Sequence, residues 1–158
     1  MLPPSSRLRD ALALALLGVA FLVAHQVGLH SITLPNPLAP LWPPSGVLLG
    51  GFILLPRRTW RAATATVILA ASISSTLAGV RLWLGLGYFS ASLIELGVAL
   101  WIIDRVAGLS VTFRRVRDTF ALLAGATLGA AASAAVAAWL TSLTSQADFL
   151  ASVGTWWT

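Results

Sequence analysis

Residues 43–80 read PPSGVLLGGFILLPRRTWRAATATVILAASISSTLAGV, two apolar runs parted by a turn that carries Arg57, Arg58 and Arg61. Neither run holds a charged side chain, and the charges between them are all positive. A bilayer core about 30 Å thick takes about 20 apolar residues to cross as a helix. The stretch therefore reads as two membrane helices turning back at a basic, interfacial loop.

The same alternation extends in both directions. Runs at 11–29, 62–80, 85–103 and 119–140 approach spanning length, and a fifth, 46–55, is short. The composition agrees: 58% of the 158 residues are hydrophobic, 9% are charged and none is lysine. A soluble domain needs roughly a quarter of its residues charged to solvate its surface. The net charge of +5 would point to nucleic acid in a soluble chain. Here the arginines sit between apolar runs and read as membrane anchors, with no nucleic-acid partner expected. Cysteine is absent, which excludes disulfides and thiolate chemistry. Arg7 and Arg9 precede the first run as in a signal peptide, but no small-x-small cleavage site closes it, so it reads as a retained helix.

The arginines orient the chain. With the N-terminus inside, Arg7, Arg9, Arg57, Arg58, Arg61, Arg105, Arg114, Arg115 and Arg117 are cytoplasmic, and Arg81 alone lies outside. Nine against one over short loops is a strong positive-inside signal. The expectation is an all-α, five-span bundle forming a single integral membrane domain over 1–158; arginine without lysine, amid so much alanine, leucine and glycine, hints at a GC-rich bacterial genome and hence a bacterial inner membrane. Its cytoplasmic anchors are Arg57, Arg58, Arg61, Arg114, Arg115, Arg117 and Asp118. Five spans leave the C-terminus outside near Asp148 and Trp156-Trp157, with no cytoplasmic domain to receive a signal, so a fragment or truncated gene is expected.

Residues 30–45, HSITLPNPLAPLWPPS, contain five prolines and no formally charged side chain if His30 is neutral. Proline cannot sit inside a regular helix without disrupting it, but suits a first turn. The second helix is expected to begin near Pro44 and end at Leu55, about 18 Å at ~1.5 Å per residue, too short for the core. Either the bilayer thins, or backbone around 38–43 descends to meet the helix. Irregular backbone at that depth persists only under protein or beside a water-filled cavity. A pocket at Trp42, Pro43, Pro44, Ser45 and Gly46 is one reading, and a ligand-free interfacial hairpin is the other.

Glu95 lies inside the fourth span. A mid-bilayer carboxylate is costly and normally faces the bundle interior with a partner. Counting from the inner boundaries at ~1.5 Å per residue puts Glu95 about 12 Å up, and Ser45 and Ser72 about 15 Å up. These residues are expected to form a polar layer, with the N-terminal end of the second helix favouring an anion there: Glu95 itself or a ligand. A carboxyl group that merely bonds neighbouring helices is the plainer alternative. His25 and His30 have no acidic neighbour, so interfacial hydrogen bonding is expected and neither metal nor cofactor. Gly125, Gly129 and Ser133 repeat every four residues, as do Gly46 and Gly50. Such ridges let helices approach closely; packing within the chain is the first reading and a homodimer face the second.

Leu41-Trp42-Pro43-Pro44-Ser45-Gly46 resembles the hallmark of the first type of bacterial membrane-associated sensor domain. Arg57-Arg58-Thr59-Trp60 is similar to that family's basic-aromatic loop after the second helix. Glu95 falls on its fourth-helix glutamate, Arg117-Asp118 on an Arg-Asp pair opening the fifth, and Trp156-Trp157 on the start of its tryptophan-rich stretch. Arg61 stands where the family often has proline, and Ser92 where asparagine is expected. The resemblance covers the first five helices of a longer domain. It implies a sensory module without catalysis of its own, ahead of a two-component histidine kinase or a cyclic-di-GMP cyclase or phosphodiesterase. The output would lie in cis or in trans, and the stimulus would be a small ligand or membrane partner. A transporter component with a broken-helix site is the principal rival. An intramembrane enzyme is disfavoured, because no Ser/His/Asp set or metal cluster falls at one depth.

Overall fold

The structure, a computed structural model, describes residues 4–30, 42–109, 114–145 and 153. Among them the chain forms five α-helices: α1 (Pro4–His30), α2 (Pro43–Leu54), α3 (Trp60–Leu77), α4 (Leu82–Val106) and α5 (Val116–Ser145). Three of these contain stretches long and apolar enough to cross a membrane: Ser6–His30, Leu82–Val106 and Val116–Leu143. Five spans were expected, and three helices meet that standard. α2 has only 12 residues. α3 has 18, a rise of about 27 Å at ~1.5 Å per residue, but is diluted by serine and threonine. Several of those hydroxyls are satisfied within the helix: Thr64 donates to the Trp60 carbonyl, Thr66 to Ala62 and Thr76 to Ser72. This back-bonding lets a hydroxylated helix face an apolar medium without unpaired donors.

Each boundary has a local cause. Trp42 is non-helical, and Pro43 and Pro44 open α2, where their missing N–H groups cost nothing. Leu55 turns extended ahead of Pro56, and a 3-10 turn at Arg57–Thr59 leads straight into α3. The Trp60 indole N–H lies 3.1 Å from the Phe52 carbonyl and 3.2 Å from that of Leu55, covering acceptors that the end of α2 leaves open. α3 stops in a Schellman turn. Gly79 adopts φ 72°, and the Gly79 and Val80 N–H groups bond to the carbonyls of Thr76 and Ser75.

Helix α1 packs on α2 and α3, α4 bridges α2 and α3, and α5 lies mainly along α4. The core joins Leu17 and Phe21 of α1, Leu48 and Phe52 of α2, Ala63, Val67 and Ala70 of α3, and Phe89, Leu96 and Leu100 of α4. The outward faces are equally apolar: Leu16 is 69% exposed, Leu69 62% and Leu123 58%. A helix apolar on every side but buried on one finds its remaining surroundings in lipid.

Small residues set the separations. A Cβ on Gly129 would lie 2.7 Å from the Glu95 carbonyl oxygen, and one on Gly125 would lie 3.0 Å from that of Ala99, so α5 rests on the α4 backbone. Ser133, next on that ridge, is half-buried. On α2 the glycine contact differs from expectation. Nothing lies within 4 Å of a Cβ on Gly50, whereas one on Gly51 would meet the Leu17 side chain at 2.6 Å. Gly51 precedes Phe52 and follows Leu48 by three residues, which places it on the core side; the Gly46/Gly50 pair faces elsewhere.

Candidate functional site

Charged side chains gather at one end of the bundle. The Arg58 guanidinium donates to both carboxylate oxygens of Asp10 at 3.0–3.2 Å, clasping the entry of α3 to the start of α1. Arg57 reaches Asp104 at 3.1 Å, and its guanidinium lies 5.8 Å from the Trp60 ring centre. Arg61, Arg114 and Arg115 are exposed at this end. Arg117 is also exposed and lies 3.8 Å from the buried Asp118 carboxylate in the first turn of α5, where a negative charge complements the helix dipole. Asp10 and Asp104 were not singled out in the sequence, although each is the lone acid beside its helix end. Arg81 lies at the opposite end, between α3 and α4.

Midway along α4 a second kind of polar contact appears. The Ser45 hydroxyl, in the first turn of α2, donates to Glu95 Oε2 at 2.8 Å. A helix start and a carboxyl group are thereby joined, and the positive end of α2 faces an acceptor supplied by the protein itself. Beside this bond a cleft of about 140 Å³ lies between α2, α4 and α5, lined by Ser45, Gly46, Leu48, Leu49, Ser92, Glu95, Leu96, Ala99 and Ala126. A Cβ on Gly46 would meet nothing within 4 Å, so the α2 side stays open. No arginine or histidine pairs with Glu95 among the described residues.

Ser72 does not join this site. Its hydroxyl donates to the Ile68 carbonyl of its own helix. The buried serine of α3 is Ser74, which lies on the same face as Ala63, Val67 and Ala70. Ser74 anchors a separate polar cluster. His25 Nδ1 is 2.8 Å from the Ser74 hydroxyl, and the Gln26 amide donates to that hydroxyl at 2.9 Å and to the Ser74 carbonyl at 3.2 Å. The Trp42 ring meets His25 edge-on at 5.2 Å and closes over Gly28, where a Cβ would lie 2.8 Å from it. His30 bonds to the Gln26 carbonyl. Trp42 thus belongs to the His25 cluster rather than to the Glu95 cleft, and neither Pro43 nor the buried Pro44 lines that cleft. The remainder of the proline segment, Leu41 included, lies outside the described residues, as do Asp148, Trp156 and Trp157.

Chemically, the cleft offers one carboxylate and two hydroxyl-bearing walls in aliphatic surroundings. Among the described residues no group of three or more His, Cys, Asp or Glu side chains could hold a metal ion. Comparison of the chain with protein-family models, curated proteins and solved structures gives no match.

Proposed function

We propose that this chain is a membrane-embedded signal-input module, five spans with the N-terminus inside the cell, coupled to a kinase or cyclic-di-GMP output in cis or in trans. The observation that carries the reading is the Ser45–Glu95 hydrogen bond. It joins the Trp-Pro-Pro-Ser-Gly helix entry to the fourth-helix glutamate, two of the motifs through which the chain resembles the first type of bacterial membrane-associated sensor domain. The arginine-rich end supports the orientation, since Arg57, Arg58 and the approach to α5 share one side of the bundle. In this reading a stimulus at the α2–α4 contact alters how α5 sits on α4. Helix shifts of about 1–2 Å suffice to transmit a signal when the bundle has two packings.

A transporter component is the second reading, favoured by the short α2 starting against a carboxyl group beside a cleft. The test joins the coding sequence beyond Thr158 to the Glu95→Gln variant of the whole gene product. Further apolar helices followed by a kinase, cyclase or phosphodiesterase domain, with membrane-bound output altered by the substitution, are expected. A gene that ends here, whose purified product alone moves solute across proteoliposomes, would overturn the sensor reading in favour of the transporter.

A further inference from the structure

The cleft over Glu95 has a donor–acceptor pattern that selects among ligands. Its polar groups are the Glu95 carboxylate and the hydroxyls of Ser45 and Ser92, one helical turn from Glu95 on α4. The rest of the lining is glycine, leucine and alanine, without an aromatic ring. An anion is disfavoured, because the Glu95 carboxylate already occupies the position facing the first turn of α2. A hard metal cation such as Ca²⁺ takes about six or more oxygens, well beyond what one carboxylate and two hydroxyls supply. A quaternary ammonium has no N–H to donate and is held by aromatic faces, which this lining lacks.

We propose that the cleft binds a short primary alkylammonium ion, its three N–H groups directed at Glu95, Ser45 and Ser92 and its carbon chain lying against Leu48, Leu49 and Leu96. An ammonium of this type carries three donors and no acceptor, matching walls that supply hydroxyl and carboxyl acceptors in one place. The volume of about 140 Å³ has room for a ligand of a few non-hydrogen atoms. Gly46 leaves the α2 wall open for entry, and the absence of a competing basic side chain on Glu95 among the described residues leaves its carboxyl group for the ligand. The proposal names a stimulus class for the sensor reading and rests on that reading for its physiological meaning alone.

The test is titration calorimetry of the purified chain in nanodiscs with n-propylammonium chloride, against sodium chloride and tetramethylammonium chloride at matched ionic strength. Saturable binding of propylammonium, at least tenfold tighter than either control, is the expected result. Glu95→Gln should weaken it tenfold or more, and Ser92→Ala several-fold. Equal responses to all three cations, or undiminished binding by Glu95→Gln, overturn the proposal. If Glu95→Gln does not fold, Leu49→Trp narrows the cleft from its apolar side, and full retention of propylammonium affinity in that variant overturns the proposal equally. The two readings fail separately. Absent binding with an intact signalling output rejects the ammonium site alone, whereas binding in a protein that proves to have no output rejects the sensor alone.

Discussion

The Ser45 hydroxyl donates 2.8 Å to Glu95 Oε2, so the first turn of α2 and the middle of α4 are held by one side-chain bond. Hydrogen bonds to charged groups contribute about 1.5–3 kcal/mol each, against about 1 for neutral pairs. Ser45→Ala should therefore lower unfolding stability by about 1–3 kcal/mol in detergent or lipid. In a double-mutant cycle with Glu95→Gln, the combined loss should fall short of the sum of the single losses. Strict additivity would show that the two side chains do not interact.

The α4–α5 seam predicts an asymmetry among glycines. Gly129→Ala places a Cβ 2.7 Å from the Glu95 carbonyl oxygen, a rigid backbone atom, so α5 must shift. Overpacking of this kind costs about 1–3 kcal/mol. Gly50→Ala meets open space and should be neutral or stabilising by up to about 1 kcal/mol through helix propensity. Unfolding of both variants, measured side by side, checks the contrast.

The two serines of α3 predict a second contrast. Ser74→Ala removes the partner shared by His25 and Gln26 in a buried site and should cost about 1–3 kcal/mol. Ser72→Ala removes only a bond to its own helix, and a change within about 0.5 kcal/mol is expected. Loss of the Trp42–His25 contact in the Ser74 variant should also appear as altered tryptophan emission.

Orientation can be measured directly, because the chain has no cysteine to interfere. Single cysteines at positions 58 and 115 should resist a membrane-impermeant maleimide in intact cells and react after lysis. A cysteine at position 81 should label in intact cells. Labelling of position 58 or 115 from outside would reverse the topology.

Helix number and boundaries were largely legible in the sequence because proline, glycine and arginine mark them chemically. Pro43-Pro44 opens α2, Pro56 closes it, and Gly79 ends α3. Side-chain partners were less legible. Depth counting placed Ser45 and Glu95 near one level, and the structure brings them into contact, but it also selected Ser72, which points along its own helix. Depth ignores azimuth: Ala63, Val67, Ala70 and Ser74 share a face at helical spacing, and Ser72 lies off it. The same blindness selected Gly50 over Gly51. The partnership of Asp10 with Arg58 spans 48 positions, and no local pattern reveals it. Three of the five expected spans are long and apolar enough by themselves; α3 falls short of that standard because Arg61 and its serine and threonine hydroxyls dilute its 18 residues, a dilution that counting run length alone does not register.

Glu95 touches two neighbours through different atoms: its carboxylate holds α2, and its carbonyl oxygen forms the surface on which Gly129 of α5 rests. Because α5 is supported mainly by α4, this residue works like the fulcrum of a balance, with a chemical load on one arm and a purely steric one on the other. A tug on the carboxylate that rotates the α4 backbone tilts the platform beneath α5, and by the reciprocity of coupled sites a shift of α5 on that platform is felt in turn at Ser45.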